Sequence, residues 1–452
     1  MDDLSWDELL NLAREQAATI LQLTARVQAL QEQLDQLRKE VARSAAPFRR
    51  REATRIPPEK QKRPGRPAGH AGVNRPVPAV VDETIEVPLG GCPKCQGPVT
   101  DLAERVQYIE EIPVVRPKVF KIVTQTGVCG GCGEVASTHP LQTGRGSHAS
   151  AVHLGPRALA LAATLNKQHG LSMRKTCRVL LDACGLKLSP GGLSQTLDRL
   201  ADRLEPEYQQ LFADVRAGPA AYVDETSWWV GGPGQWLWVF ANPTTTLYRV
   251  QDSRSSAVAA ETLTPHYAGV LVSDCLNIYD DGVPIERKHK CIAHHQKAIR
   301  EQLDSPDLGD RTYLEAWKSL FTQVCGIAKL AAAIPEPHWA AARQNYGQRV
   351  DALLAQRVSQ PQDRRIQNRL AKQRPHLLRC LDDPANVEPT NNRAERALRP
   401  AVIARKISCG NKTERGKTTW ERLASLTATW YQRGRQVLNE LASRACIRHN
   451  AG

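Results

Sequence analysis

Three acidic residues in a chain otherwise rich in base have the side-chain chemistry to hold divalent cations. Asp224 lies in Ala221-Tyr222-Val223-Asp224-Glu225-Thr226, and Asp274 ends Gly269-Val270-Leu271-Val272-Ser273-Asp274. Glu395 lies in Asn391-Asn392-Arg393-Ala394-Glu395-Arg396-Ala397-Leu398-Arg399-Pro400. The two aspartates end short apolar runs that read as strands, and Glu395 sits among good helix formers. Carboxylates brought together repel unless a cation lies between them. Mg²⁺ (or Mn²⁺) takes oxygen ligands and keeps water, and two such ions can clamp the attacking and leaving oxygens of a phosphodiester. Asp224, Asp274 and Glu395 are therefore the candidate catalytic, metal-binding set. Neighbours on a strand face opposite sides, so of Asp224 and Glu225 only Asp224 is assigned to the site. Asp280 and Asp281 are expected in a solvated loop. Asn391 and Asn392 are expected to cap the helix that carries Glu395.

A second chemistry is carried by cysteine. Cys92-Pro93-Lys94-Cys95 is followed, after 33 intervening residues, by Cys129-Gly130-Gly131-Cys132. Two such knuckles give a tetrahedral Cys₄ set for Zn²⁺, and four thiolates leave no open position, so that zinc would be structural. Val114-Val115, Val119-Phe120 and Ile122-Val123 between them read as strands. Twelve cysteines in a chain this long do not suggest a disulfide framework. Cys291-Ile292-Ala293-His294 has ligand types at a zinc-like spacing but no second pair, and is read as structural.

The elements that must position these groups can be read along the 452 residues, whose formal net charge of +14 favours a polyanion, usually double-stranded DNA. Residues 1–45 read as a helix whose Leu23, Val27, Leu30, Leu34, Leu37 and Val41 form a heptad seam suited to self-association. Residues 46–80 are a basic Pro/Gly-rich linker, with Arg49, Arg50, Arg51, Lys62, Arg63 and Arg66 as candidate phosphate contacts. Gly65-Arg66-Pro67 can also place its arginine in a narrow minor groove. Residues 81–140 form the small Cys₄ β domain.

Residues 150–217 read as helices. Among them Met173 to Cys184, the turn at Gly185 and a helix capped by Ser189-Pro190 resemble a helix-turn-helix, with Arg174 and Lys175 as DNA contacts. The same segment also reads as a plain helical hairpin. Residues 218–285 give four strands with a helix at 256–266, and the remainder is mostly helical. Arg396, Arg399, Arg405 and Lys406 near Glu395 are further candidate phosphate ligands. No stretch approaches the length of a membrane span, and the acidic start lacks the features of a signal peptide. The chain therefore reads as cytoplasmic, working at the nucleoid.

These blocks resemble the DDE-type transposases of the IS66 family of bacterial insertion sequences. The match is carried by Asp224-Glu225-Thr226-Ser227-Trp228-Trp229-Val230, Trp236-Leu237-Trp238-Val239-Phe240, Val270 to Asp274, Cys291 to His294 and, most specifically, Asn391 to Pro400. Arg405-Lys406-Ile407-Ser408-Cys409-Gly410 extends it in a form typical of a subgroup. The resemblance implies a multidomain α+β protein whose RNase H-like α/β catalytic core comprises residues 218–290 and 386–452, interrupted by a helical insertion at 291–385. It also implies binding of terminal inverted repeats, metal-dependent cleavage and strand transfer, and small accessory proteins of the element. Two element ends must be brought together, so at least a dimer is expected. A DNA-binding protein of mobile-element origin without catalysis is the alternative, and a structure-selective nuclease on the same core a third reading.

Overall fold

The computed structural model describes residues 75–143 and 152–446 apart from 233, 281 and 284, with residues 69 and 70 and scattered positions between 19 and 31. The chain divides into two units, 1–113 and 114–452. The division falls within the stretch expected to form one Cys₄ domain.

In the first unit, the described positions from Thr19 to Gln31 are helical. Leu23, Val27 and Leu30 are more than half exposed there, while Leu34, Leu37 and Val41 lie outside the described residues. So do Arg49, Arg50, Arg51, Lys62, Arg63 and Arg66. Residues 75–113 contain turns but no helix or strand.

The second unit begins irregularly. The strands expected at Val114-Val115, Val119-Phe120 and Ile122-Val123 do not form; Val114 and Val119 are about nine-tenths exposed. Pro113 and Pro117 remove backbone donors from this stretch, and no described strand lies alongside it to complete a ladder. The pairing instead forms a hairpin of β1 (Thr126–Cys129) and β2 (Gly133–Ala136), turned by the second knuckle.

Four α-helices follow, the first continued by a π-helical turn (Thr164–Gln168): α1 (Pro156–Ala163), α2 (Met173–Cys184), α3 (Pro190–Arg203) and α4 (Glu205–Arg216). Gly185, in the left-handed region at φ 64°, ends α2. The Ser189 hydroxyl accepts the Gly192 N–H at 3.1 Å to start α3, with Pro190 in its first turn, as the sequence predicts.

A mixed sheet comes next. It contains β3 (Ala220–Val230), β4 (Gly234–Ala241), β5 (Thr246–Gln251), then, after α5 (Ser256–Leu263), β6 (Val270–Ser273) and β7 (Lys288–Lys290). The four strands and the helix expected over 218–285 are all present. β7 is additional. Between β7 and the return to the sheet lie α6 (Ile292–Leu303), α7 (Thr312–Ala328), α8 (Glu336–Ala355), α9 (Pro361–Gln373) and the short α10 (Arg379–Asp382). The chain then returns to the sheet through α11 (Asn392–Ser408), β8 (Gly410–Asn411), α12 (Glu414–Gln432) and α13 (Val437–Arg444).

The strand order is β5-β4-β3-β6-β7, antiparallel from β5 to β3 and parallel from β3 to β7, with β8 also pairing β3. Both faces are covered by helices, which explains why β3 is buried on both sides from Ala220 to Val223; from Ser227 onward exposed and buried residues alternate. Ala221, Val223, Trp238 and Phe240 face a core shared with α1, α3, α4, α12 and α13. Tyr222, Trp228, Val239 and Val272 face a second core shared with α6, α7 and α11.

At the β5 edge, α12 takes the place of a further strand. The Val250 N–H donates to Glu421, the Tyr248 N–H to Ser425 Oγ (2.8 Å) and the Thr246 N–H to Thr429 Oγ1 (3.0 Å). Four helical residues rise about 6 Å and two strand residues about 6.8 Å, so the two repeats stay in step over three contacts. Among the described residues no helix is long and apolar enough to cross a membrane.

Candidate active site

A chain of hydrogen bonds across four segments builds the acidic centre. The Ser273 carbonyl, at the end of β6, accepts the Cys291 N–H at 2.9 Å. Cys291 Sγ accepts the Asn391 N–H at 3.1 Å, and Asn391 Nδ2 donates to the Val223 carbonyl on β3 at 2.9 Å. Cys291 and Asn391 are fully buried. Burial pushes the Cys291 thiol up to about 11, so it serves as a neutral packing and hydrogen-bonding group.

Each site residue follows one of these anchors. Asp224 succeeds Val223, and Asp274 succeeds Ser273. Glu395 lies one helical turn beyond Asn391, whose carbonyl accepts the Glu395 N–H at 3.2 Å. The β3–β6 register, Ala220 opposite Val270 through Tyr222 opposite Val272, sets Asp224 level with Asp274 when it is continued two residues.

The three positions influence one another electrostatically. Burial, then the neighbouring Glu225 charge, push Asp224 up to about 7, and Asp274 and Glu395 add to the rise. The Glu225 N–H, donating to Asp224 Oδ1 at 2.9 Å, opposes it in part. Asp274 Oδ1 accepts the Leu276 N–H at 2.9 Å, which turns the chain after β6. Glu395 is 45% exposed. Among the described residues, no three His, Cys, Asp or Glu side chains are drawn together tightly enough to hold an ion as they stand.

The opening for these groups comes from the sheet itself. β3 pairs β6 only through Tyr222 and β8 only from Trp229, so residues 223–228 have β4 on one side and no strand on the other. α11 lies along this gap and is fixed at both ends: Asn391 bonds Val223, and Arg405 Nη1 donates to Thr226 Oγ1 (2.9 Å) and to the Ser227 hydroxyl (2.8 Å) and carbonyl. Beyond α11, Gly410 meets the Trp229 backbone so closely that a Cβ would lie 2.2 Å from its carbonyl oxygen; with φ at 119°, only glycine allows β8 to pair there.

Several expectations change at this level. Asp224 does not end a strand. It is the fifth residue of an eleven-residue one, because Trp228 and Trp229 continue the β pattern past it. Asn391 occupies the N-cap position without capping through its side chain, since its amide is spent on Val223. Asp280 is not in a solvated loop: it is buried, held by Lys290 at 2.9 Å and Lys372 at 3.0 Å. Burial alone would raise it, but Lys290, Gln373 and Lys372 outweigh that and hold it below the ordinary aspartate value. Asp281 lies outside the described residues. Glu225 points away from the site as expected, to an ion pair with Arg254 at 2.9 Å and a hydrogen bond from Tyr279.

The Cys291–His294 segment is structural at its cysteine, but its histidine reaches the site: His294 Nε2 is 3.9 Å from Glu395 Oε1. Sequence reasoning also missed the buried Lys288-His289-Lys290 strand, because nothing in its composition signals β structure or burial.

The candidate DNA contacts separate in position. Arg174 and Lys175 are exposed on α2. α3 buries Leu193, Leu197 and Leu200, and Asp198 accepts the Thr419 hydroxyl of α12 at 2.7 Å. One face of the second helix is thus spent on packing, which both the helix-turn-helix and the hairpin readings allow. Arg396, Arg399 and Lys406 are exposed on α11, whereas Arg405 is occupied by β3.

The two cysteine knuckles, each taken by itself, share one feature. The Cys95 and Lys94 N–H groups lower the Cys92 thiol, and the Gly131 and Cys132 N–H groups lower that of Cys129.

Comparison with known proteins bears on this geometry. Residues 151–419, more than half of the chain, match the family model described as Transposase IS66 family. The chain is also similar to the uncharacterized protein y4qI of Sinorhizobium fredii (strain NBRC 101917 / NGR234), 24% identical over 377 residues. That match covers 74% of this chain and 66% of the relative, just under two thirds of its length. The matched family segment contains β3, β6 and α11 together with the residues they position, and the mixed sheet is compatible with a catalytic core. The chain belongs to the IS66 family of transposases.

Proposed function

We propose that this transposase binds the terminal inverted repeats of its element and carries out metal-dependent DNA cleavage and strand transfer on an RNase H-like core, with Asp224, Asp274 and Glu395 as the catalytic carboxylates. The observation that carries the reading is geometric: the β3–β6 register, continued two residues, sets Asp224 level with Asp274, and Asn391, one turn before Glu395, is bonded to Val223 beside them. Hard oxygen donors that repel one another suit Mg²⁺ or Mn²⁺, and a cation between them would relieve the repulsion. When bound, two such ions supply Lewis-acid stabilisation to the attacking and leaving oxygens. The chain's own part is to position. Val223, Ser273 and Asn391 fix the backbone from which each carboxylate projects, and Arg405 holds α11 against the sheet gap. The exposed Arg396, Arg399 and Lys406 offer phosphate contacts beside the acids, and Arg174 and Lys175 a second basic surface.

The thiolate pairs Cys92 with Cys95 and Cys129 with Cys132 are donors of the type that suits structural Zn²⁺. The exposed Leu23, Val27 and Leu30 support self-association of the N-terminal helix. Double-stranded element ends and target DNA are the partners of this reading, alongside any accessory proteins of the element.

The deciding experiment incubates purified protein with DNA carrying its own element ends, in Mg²⁺ and in EDTA. Metal-dependent 3′-end nicking and joined products, lost in Asp224→Asn, Asp274→Asn and Glu395→Gln while DNA binding survives, support the proposal. Normal cleavage by any one of the three would remove that residue from the catalytic set. Specific binding with no cleavage would favour the DNA-binding alternative.

A further inference from the structure

The joint that builds the acidic centre also aims a histidine at it. α6 and α11 start side by side, because Cys291 Sγ accepts the Asn391 N–H and the Ile292 N–H donates to the Pro389 carbonyl at 3.0 Å. His294 is the third residue of α6 and Glu395 the fourth of α11, so each lies about one turn beyond the joint. His294 Nε2 stands 3.9 Å from Glu395 Oε1, beyond hydrogen-bond distance but within reach of a small side-chain turn. The other ring nitrogen, Nδ1, is buried without a hydrogen-bond partner. With Nδ1 enclosed, Nε2 is the ring nitrogen that faces the carboxylate. Among the described residues no Lys or Arg is ion-paired with Glu395, which is half-exposed.

We propose that His294 is a positioning residue for Glu395: its Nε2–H holds the carboxylate turned toward Asp224 and Asp274, in the orientation that admits a divalent cation. The inference rests on the reading of those three carboxylates as a metal site. It assigns His294 no contact with the ion. Groups of this kind, which orient a ligand through its second oxygen, alter metal affinity when they are removed.

The test uses full-length, zinc-loaded protein titrated with Mn²⁺ alone, free Mn²⁺ being followed by electron paramagnetic resonance. Asp224→Asn and Glu395→Gln serve as references and should lose the site. His294→Ala and His294→Asn should weaken Mn²⁺ binding by about tenfold or more. His294→Gln, which places an amide N–H near the position of Nε2, should restore most of it. A purely structural role would move the Asn and Gln variants alike, and their melting in EDTA checks that both fold. If the Ala and Asn variants bind Mn²⁺ like wild type while the references do not, the positioning role is wrong and the metal site stands. A Gln variant as weak as Asn also overturns it. If the references themselves bind normally, the metal-site reading fails first.

Discussion

Replacing Asp224 by Asn should make the metal-free protein more stable while leaving it unable to cleave DNA. Asp224 rises from an ordinary 3.8 to about 7. A carboxyl group with a raised value in the fold contributes nothing to the pH dependence below about pH 4, where it is protonated in both folded and unfolded chains. Between about pH 4 and 7 the unfolded chain ionises first, so folding loses free energy as pH rises. Above about pH 7 the full penalty is present. About three units at ~1.4 kcal/mol each sets a ceiling near 4 kcal/mol. Solvent reaches part of the side chain and screens it, which brings the expected value to about 2 kcal/mol. The amide introduced by Asp224→Asn keeps an oxygen to accept the Glu225 N–H, so the comparison isolates the charge. Denaturant unfolding in EDTA should show variant and wild type matched near pH 4 and separated by that amount at pH 8. Added Mg²⁺ should then raise wild type and leave the variant unmoved. A variant less stable than wild type at pH 8 in EDTA would refute the reasoning, because the carboxylate would then be compensated by something other than a cation.

The buried Glu421, raised to about 7 chiefly by burial, behaves in the same sense. Glu421→Gln keeps an acceptor for the Val250 N–H, and should gain about 2 kcal/mol over wild type at pH 8 but not at pH 4, read by the same unfolding curves. Arg405→Ala should cost about 1–3 kcal/mol through the lost Thr226 and Ser227 contacts, and should reduce cleavage more than DNA affinity. Arg399→Ala should instead weaken binding across sequences and lower the salt slope by about one, as measured by titration at several salt concentrations. Cys92→Ser should release zinc, measured by metal analysis after gel filtration; unchanged zinc content would remove Cys92 from the ligand set.

The parts of the fold that the sequence made legible are those whose signals are local. The aromatic, β-branched runs of β4 and β5, the apolar run of β6 and the Ser189-Pro190 start of α3 need only neighbouring residues to form. The acidic positions stood out through the apolar runs that lead into Asp224 and Asp274 and through the helix-forming block around Glu395. What stayed hidden depends on contacts distant along the chain. Asp280 reads as a loop residue until Lys290 and Lys372 are placed against it. Asn391 reads as a cap until β3 presents an unpaired carbonyl. The strand expectation between the cysteine knuckles failed for the converse reason: β-branched pairs do not make a ladder without a partner and with prolines among them.

The contacts between α12 and β5 also bear on the order of events during synthesis. The donors on Thr246, Tyr248 and Val250 wait for residues 421–429, which leave the ribosome only after the whole helical insertion. Until then β5 presents an unprotected edge, the kind of surface along which nascent chains aggregate. Pairings this distant in sequence also form slowly. Glu395 is translated within the same late portion, so a chain interrupted in the insertion has both aspartates but neither the third acid nor the covered edge. Chains that stop before residue 421 thus leave the β5 edge bare, so translation past residue 429 is a condition for covering it.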